Sequence, residues 1–145
     1  MRLTAPTIRA ATLDDTESIA ALSDQLGYPT PPERMRERLA VLLPRKDQQL
    51  FAAERDGQLV GWLHVAKIEM VESDSFAEIY GLIVRDNERG QGTGPLLLRA
   101  AEAWAAAQGL GKVRVRCNVV RERTHRFYER EGFVVSKTQK IFDKG

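Results

Sequence analysis

The chain has 145 residues, 43% of them hydrophobic, and a net charge of only +2. That length suits one compact domain over residues 1–145, and so mild and scattered a charge argues against nucleic acid as a partner. A single cysteine, Cys117, excludes an internal disulfide. With only His64 and His125 besides, far apart in sequence, no metal site is expected. No apolar run nears the ~20 residues that span a bilayer, and the first residues lack a signal peptide's apolar stretch. A soluble, cytoplasmic protein without a membrane partner is the expectation.

In chain order, Thr7 to Ala11 reads as a short strand. Thr12 and Asp14 offer helix caps, Glu17 suits the first turn, and Gly27 closes that helix. Thr30 and Pro31 open a second helix whose buried face carries Met35, Leu39, Leu42 and Leu43, with Pro44 as its stop. Gln49 to Arg55 and Gln58 to Ile68 are strands joined by the hairpin signal Asp56-Gly57. Leu59, Gly61, Leu63 and Val65 fall on one face of the second of these, Val60, Trp62 and His64 on the other. Glu69 to Ser75 reads as a polar loop. Phe76 to Val84 is so continuously apolar that a central, doubly covered strand is expected. Gly92 to Gln108 is a helix, Lys112 to Cys117 a strand, Arg121 to Glu131 a helix closed by Gly132, and Phe133 to Phe142 a last strand. The order β-α-α-β-β-β-α-β-α-β is a mixed α/β (α+β) layout around a sheet.

The segment between the apolar strand and the long helix carries Gly90, Gly92 and Gly94 at alternate positions. Glycines let the backbone turn tightly and approach a ligand unobstructed. The amides at a helix start, with the helix dipole, attract anions, so a phosphate-bearing cofactor is the natural guest. The spacing is not that of a dinucleotide fingerprint, and Pro95 stands where a mononucleotide P-loop needs lysine.

Arg89-Gly90-Gln91-Gly92-Thr93-Gly94, after a buried strand and opening a helix, resembles the acetyl-coenzyme A motif Gln/Arg-x-x-Gly-x-Gly/Ala of the GNAT acetyltransferase superfamily. Arg126-Phe127-Tyr128-Glu129-Arg130-Glu131-Gly132-Phe133 is similar to that family's Tyr-Glu-Lys-x-Gly-Phe segment. The element order agrees from end to end. The resemblance implies a mostly antiparallel central sheet flanked by helices and splayed at the cofactor strand, with acetyl-coenzyme A as acetyl donor. It implies a pyrophosphate held by the amides of Arg89, Gly90, Gln91, Gly92, Thr93 and Gly94, and a pantetheine arm paired with the backbone of Leu82, Ile83 and Val84. Tyr128 would sit near the thioester sulfur. Where the family often carries a coenzyme-contacting asparagine this chain has Arg121, with Asn118 earlier, and either could inherit the contact.

Acetylating an amine needs a neutral nitrogen, a polarised thioester carbonyl and a proton for the departing thiolate. A primary amine, with a pKa of about 10, is mostly protonated at neutral pH, so a base helps. Glu78, on the strand leading to the glycine turn, is the candidate base; Tyr128 is the candidate acid. The other reading makes Glu78 a solvated strand residue and Tyr128 an aromatic packed on Phe133. Cys117 is rejected as a nucleophile for want of a nearby histidine, and His64 and His125 are assigned structural or surface roles. Glu69 to Ser75, with Glu72 and Asp74, would border the acceptor cleft, and Tyr28 would form its opposite wall. An acidic rim favours the primary amine of a small cationic molecule; the alternatives are a protein or peptide amine, or a non-catalytic coenzyme A-binding regulatory domain. A homodimer could form through apolar surface on the last strand and the helix of Trp104.

Overall fold

The computed structural model describes residues 4–27, 29–88, 90–117 and 119–145. The chain divides into two compact units, residues 1–115 and 116–145.

The first unit is built on a five-stranded sheet in the order β1-β2-β3-β4-β5. Strand β1 is Thr7–Ala10, β2 Gln48–Arg55, β3 Gln58–Met70, β4 Ser73–Val84 and β5 Val113–Val115. Neighbours run antiparallel until β5, which lies parallel to β4. Asp56 and Gly57 both take left-handed backbone, at φ 52° and 77°, and so form the tight β2–β3 turn. The polar stretch from Glu69 to Ser75 is not a loop. Met70 pairs with Ser73 across a hairpin, because ladder bonds are made by backbone and leave polar side chains in solvent.

Where one helix was expected after Thr12, the chain makes a 3₁₀ turn, helix α1 (Thr16–Ser23), and a second 3₁₀ turn ended by Gly27 at φ 81°. Thr12 caps the entry in a capping box with Asp15. The Thr16 and Ser23 hydroxyls donate to the carbonyls of Leu13 and Ile19, at 2.6 and 2.8 Å, at the two ends where the helix tightens. Helix α2 is Pro32–Leu42, one residue later than the capping signal suggested. Pro32 keeps the preceding Pro31 extended, at ψ 143°. Helix α3 is Thr93–Ala107.

The helices cover opposite faces of the sheet. A Cβ on Gly61 would stand 3.2 Å from Leu97 and 3.5 Å from Thr93, so this position of β3 faces α3 and lets its first turn approach. Adjacent Trp62 points the other way, into a core of Ile19, Leu22, Met35, Leu39, Leu50 and Ile83 contributed by α1, α2, β2 and β4.

The second unit contains α4 (Glu122–Arg130), ended by Gly132 at φ 95°. The last strand expected over Phe133 to Phe142 is absent among the described residues; Val134, Val135, Ile141 and Phe142 are exposed. A helix satisfies its own backbone, whereas a strand exists only through a partner, and this segment has no ladder partner here. Among the described residues no helix is long and apolar enough to cross a membrane, and no cluster of His, Cys, Asp and Glu could hold a metal ion.

Candidate functional site

The ladder between β4 and β5 ends at Ile79↔Val115. From Gly81 to Val84, β4 continues with a ladder partner only on its β3 side among the described residues. Leu82, Ile83 and Val84 therefore offer main-chain groups along an open edge, as the expected splay requires. Gln25 reaches the end of this edge, donating to the Val84 carbonyl and accepting from the Asp86 amide, both at 3.3 Å.

The edge runs into the glycine turn. Gly90 and Gly92 have φ of 79° and 83°, and nothing lies within 4 Å of where their Cβ atoms would stand. Gly92 is the N-cap of α3, and no side chain caps the helix. The first-turn amides of Thr93 and Gly94 have no acceptor within the helix, and Pro95 brings no amide of its own. Gln91 donates its N–H to the Glu88 carbonyl, 3.1 Å away, and so holds the bend. Arg89 lies outside the described residues. An open, uncapped helix start reached through glycine is the geometry that suits a phosphate group.

A buried ion pair holds the loop before the turn. Arg55, at the end of β2, pairs with Glu88, and both side chains are over nine-tenths buried. Arg55 also donates to the Thr4 carbonyl at 2.6 Å. Nothing in the sequence foretells this pair, whose members stand 33 positions apart.

On the face of α1 and α2 a cavity of about 510 Å³ opens beside Tyr80 and Gly81. Tyr80 is a bulge: His64 pairs with Gly81 and Val65 with Ile79, so Tyr80 is the extra residue on β4. The bulge turns Tyr80 to the cavity, where its ring meets His64 edge-on at 5.0 Å. Glu78 is buried and pairs with Ala66, on the same face as His64 and Gly81. The Tyr80 hydroxyl is pushed above its ordinary pKa by burial and then by the Glu78 charge. His64 Nε2 lies 2.7 Å from Gln48 Oε1, and burial lowers the ring's pKa, so it stays neutral at pH 7. Expected in a structural or surface role, His64 stands on the cavity wall. Its alternation with Trp62 along β3 was the available signal.

Glu72 and Asp74 are exposed at the β3–β4 hairpin and do not line this cavity. Asp74 is separated from Tyr80 by roughly 20 Å of extended strand. Tyr28 and Asn118 lie outside the described residues.

In the second unit, Tyr128 is buried on α4, edge-on to Phe133 at 5.5 Å and to Phe127 at 5.2 Å. Burial, and then the neighbouring Cys117, push its hydroxyl up to about 12. It therefore holds its proton across the neutral range. Arg121 is the exposed N-cap residue of α4. The Cys117 thiol is raised by burial, which keeps it protonated and unreactive.

The profile of the acetyltransferase (GNAT) family matches residues 14–133. The aminoalkylphosphonate N-acetyltransferase of Salmonella typhimurium is 31% identical over 132 residues, which cover 87% of this chain and 83% of that protein. Among solved structures, the aminoglycoside N-acetyltransferase AAC(6')-Iy in complex with coenzyme A superposes with a TM-score of 0.88 at 18% identity, covering 99% of this chain and 97% of its own. The aminoglycoside 6'-N-acetyltransferase AAC(6')-Ih of Acinetobacter baumannii gives 0.86 at 18% identity, with 97% and 98% covered. At such identities these structures establish the fold.

Proposed function

The chain belongs to the acetyltransferase (GNAT) family, an N-acetyltransferase that draws on acetyl-coenzyme A, and from that premise we propose how it transfers the acetyl group to a primary amine of a small molecule. The observation that carries the proposal is the open β4 edge from Gly81 to Val84 running directly into an uncapped glycine turn. The coenzyme's bound form supplies an acetyl thioester, from which the acetyl group passes directly to the amine.

Of the amides from Arg89 to Gly94, that of Gln91 is given to the Glu88 carbonyl; the others receive the pyrophosphate at the positive end of the α3 dipole. The left-handed Gly90 and Gly92 leave the space a side chain would fill. Leu82, Ile83 and Val84 pair their main chain with the pantetheine arm, as an added strand pairs with a sheet edge. Arg121 or Asn118 contributes a further polar contact. Glu78 takes the proton from the amine, directly or through water, and its place on the cavity face suits that work. Tyr128, protonated at neutral pH, gives its proton to the departing thiolate. The Salmonella relative acetylates aminoalkylphosphonates by its name, which supports a small amine as acceptor here. Work in the cytoplasm, beside an intracellular acetyl donor, and a homodimer built on the exposed apolar residues near the C-terminus complete the reading.

The test is thiol release from acetyl-coenzyme A across a panel of primary amines, with thermal unfolding in coenzyme A, ATP and NAD alongside. Coenzyme A at a hundredfold excess over its Kd should stabilise the protein by about 2.7 kcal/mol. Absence of thiol release with every amine, or equal stabilisation by ATP, would sink the reading.

A further inference from the structure

We propose, resting on the reading of this chain as a small-molecule N-acetyltransferase, that the cavity beside Tyr80 selects an acceptor with one amine on an apolar alkyl or aralkyl body, and discriminates against polyamines and aminoglycosides. At about 510 Å³ the cavity has the size of a small-molecule site. Its walls are aliphatic, with Ile19, Met35, Leu39, Leu42 and Leu50 brought in from α1, α2 and β2.

The polar groups on the lining are largely committed to one another. Arg38 donates to Thr30 at 3.3 Å, His64 bonds Gln48, and Ser23 donates to the Ile19 carbonyl. Apart from the buried Trp62 indole N–H, which has no partner among the described residues, what remains to greet a ligand is largely hydrocarbon. No carboxylate lines the cavity among the described residues, and the one formal charge on the lining is a cation, Arg38. Asp47, which does not line the cavity, is held by Arg45 in a two-point contact at 2.9 and 2.8 Å. Glu78, buried on the same sheet face and outside the lining, serves the single reacting amine. A second ammonium group carried inside would find no counter-charge and would face Arg38, and burying an unpaired charge is strongly unfavourable. An aliphatic chain instead gains with every methylene laid on the wall.

The experiment is thiol release from acetyl-coenzyme A with the linear amines from propylamine to hexylamine, 2-phenylethylamine, spermidine and kanamycin. We expect kcat/KM to climb roughly fourfold per added methylene, with 2-phenylethylamine high in the order and spermidine and kanamycin at its foot. Leu42→Asp should flatten the climb while leaving coenzyme A affinity intact. Leu42→Thr should flatten it partly, and Val41→Asp, one residue along on the exposed side of α2, should leave it unchanged. A flat alkyl series, or spermidine or kanamycin as the preferred acceptor, overturns this inference and leaves the acetyltransferase reading standing. Silence with every amine overturns both.

Discussion

Alanine at position 92 would test the anion cradle without displacing a packed atom. Gly92 sits at φ 83° with nothing within 4 Å of a Cβ placed there, so the change carries backbone strain and no clash. Gly109, past the other end of α3, is its match: φ is 75° and the space is equally open. Forcing an L-residue into the left-handed region costs about 1–2 kcal/mol. Part is offset by an unfolded chain that is less free by about 0.4–1 kcal/mol. Gly92→Ala and Gly109→Ala should then each lose about 1 kcal/mol, a fall in Tm of about 3 °C for a chain of this length. Their coenzyme binding should differ. A methyl group at Gly92 stands where the pyrophosphate approaches the first-turn amides. Losing one such hydrogen bond to a charged group costs about 1.5–3 kcal/mol, or roughly 10- to 100-fold in Kd. Calorimetric titration with coenzyme A, paired with thermal unfolding of both variants, reads the two effects separately. Equal affinities in the two variants would refute the turn as the pyrophosphate site, whatever the Tm values show.

Tyr128→Phe should keep coenzyme affinity while lowering kcat tenfold or more, the scale of a lost proton donor; undiminished turnover would leave the tyrosine as packing alone. Glu78→Gln should lower turnover chiefly at low pH, and an unaltered pH–rate profile would remove it from the mechanism. Arg55→Met should cost about 3–5 kcal/mol in urea unfolding, since it strands buried Glu88 without its partner; adding Glu88→Gln should restore part of that, and failure of the double change to recover anything would show the pair is not coupled. Arg9 grips Asp15 with two bonds of 2.8 Å and, with the Thr12 amide, holds its carboxyl below the usual range. Its stabilising contribution should be complete above the unfolded value of about 3.9 and fade as pH falls through the depressed folded value. Acid unfolding of Asp15→Asn, compared with the parent, checks this: the variant should be less stable at neutral pH, with the difference closing in strong acid.

By itself the amino-acid order determined what is settled within a few residues: the Asp56-Gly57 turn, the helix start at Gly92–Thr93, the end of α4 at Gly132, and the alternation that sends Gly61 and Trp62 to opposite faces. These depend on glycine's access to left-handed backbone and on side-chain period, which neighbours in sequence decide. The tertiary structure alone decided the bulge at Tyr80, the bond between His64 and Gln48, the burial of Arg55 against Glu88 and the aliphatic cavity under α2, because each depends on which strands lie side by side and in what register. The same reason accounts for the stretch from Phe133 to Phe142, whose apolar pattern suits a strand. A strand's hydrogen bonds are made with another segment, so pattern without a partner leaves extended chain.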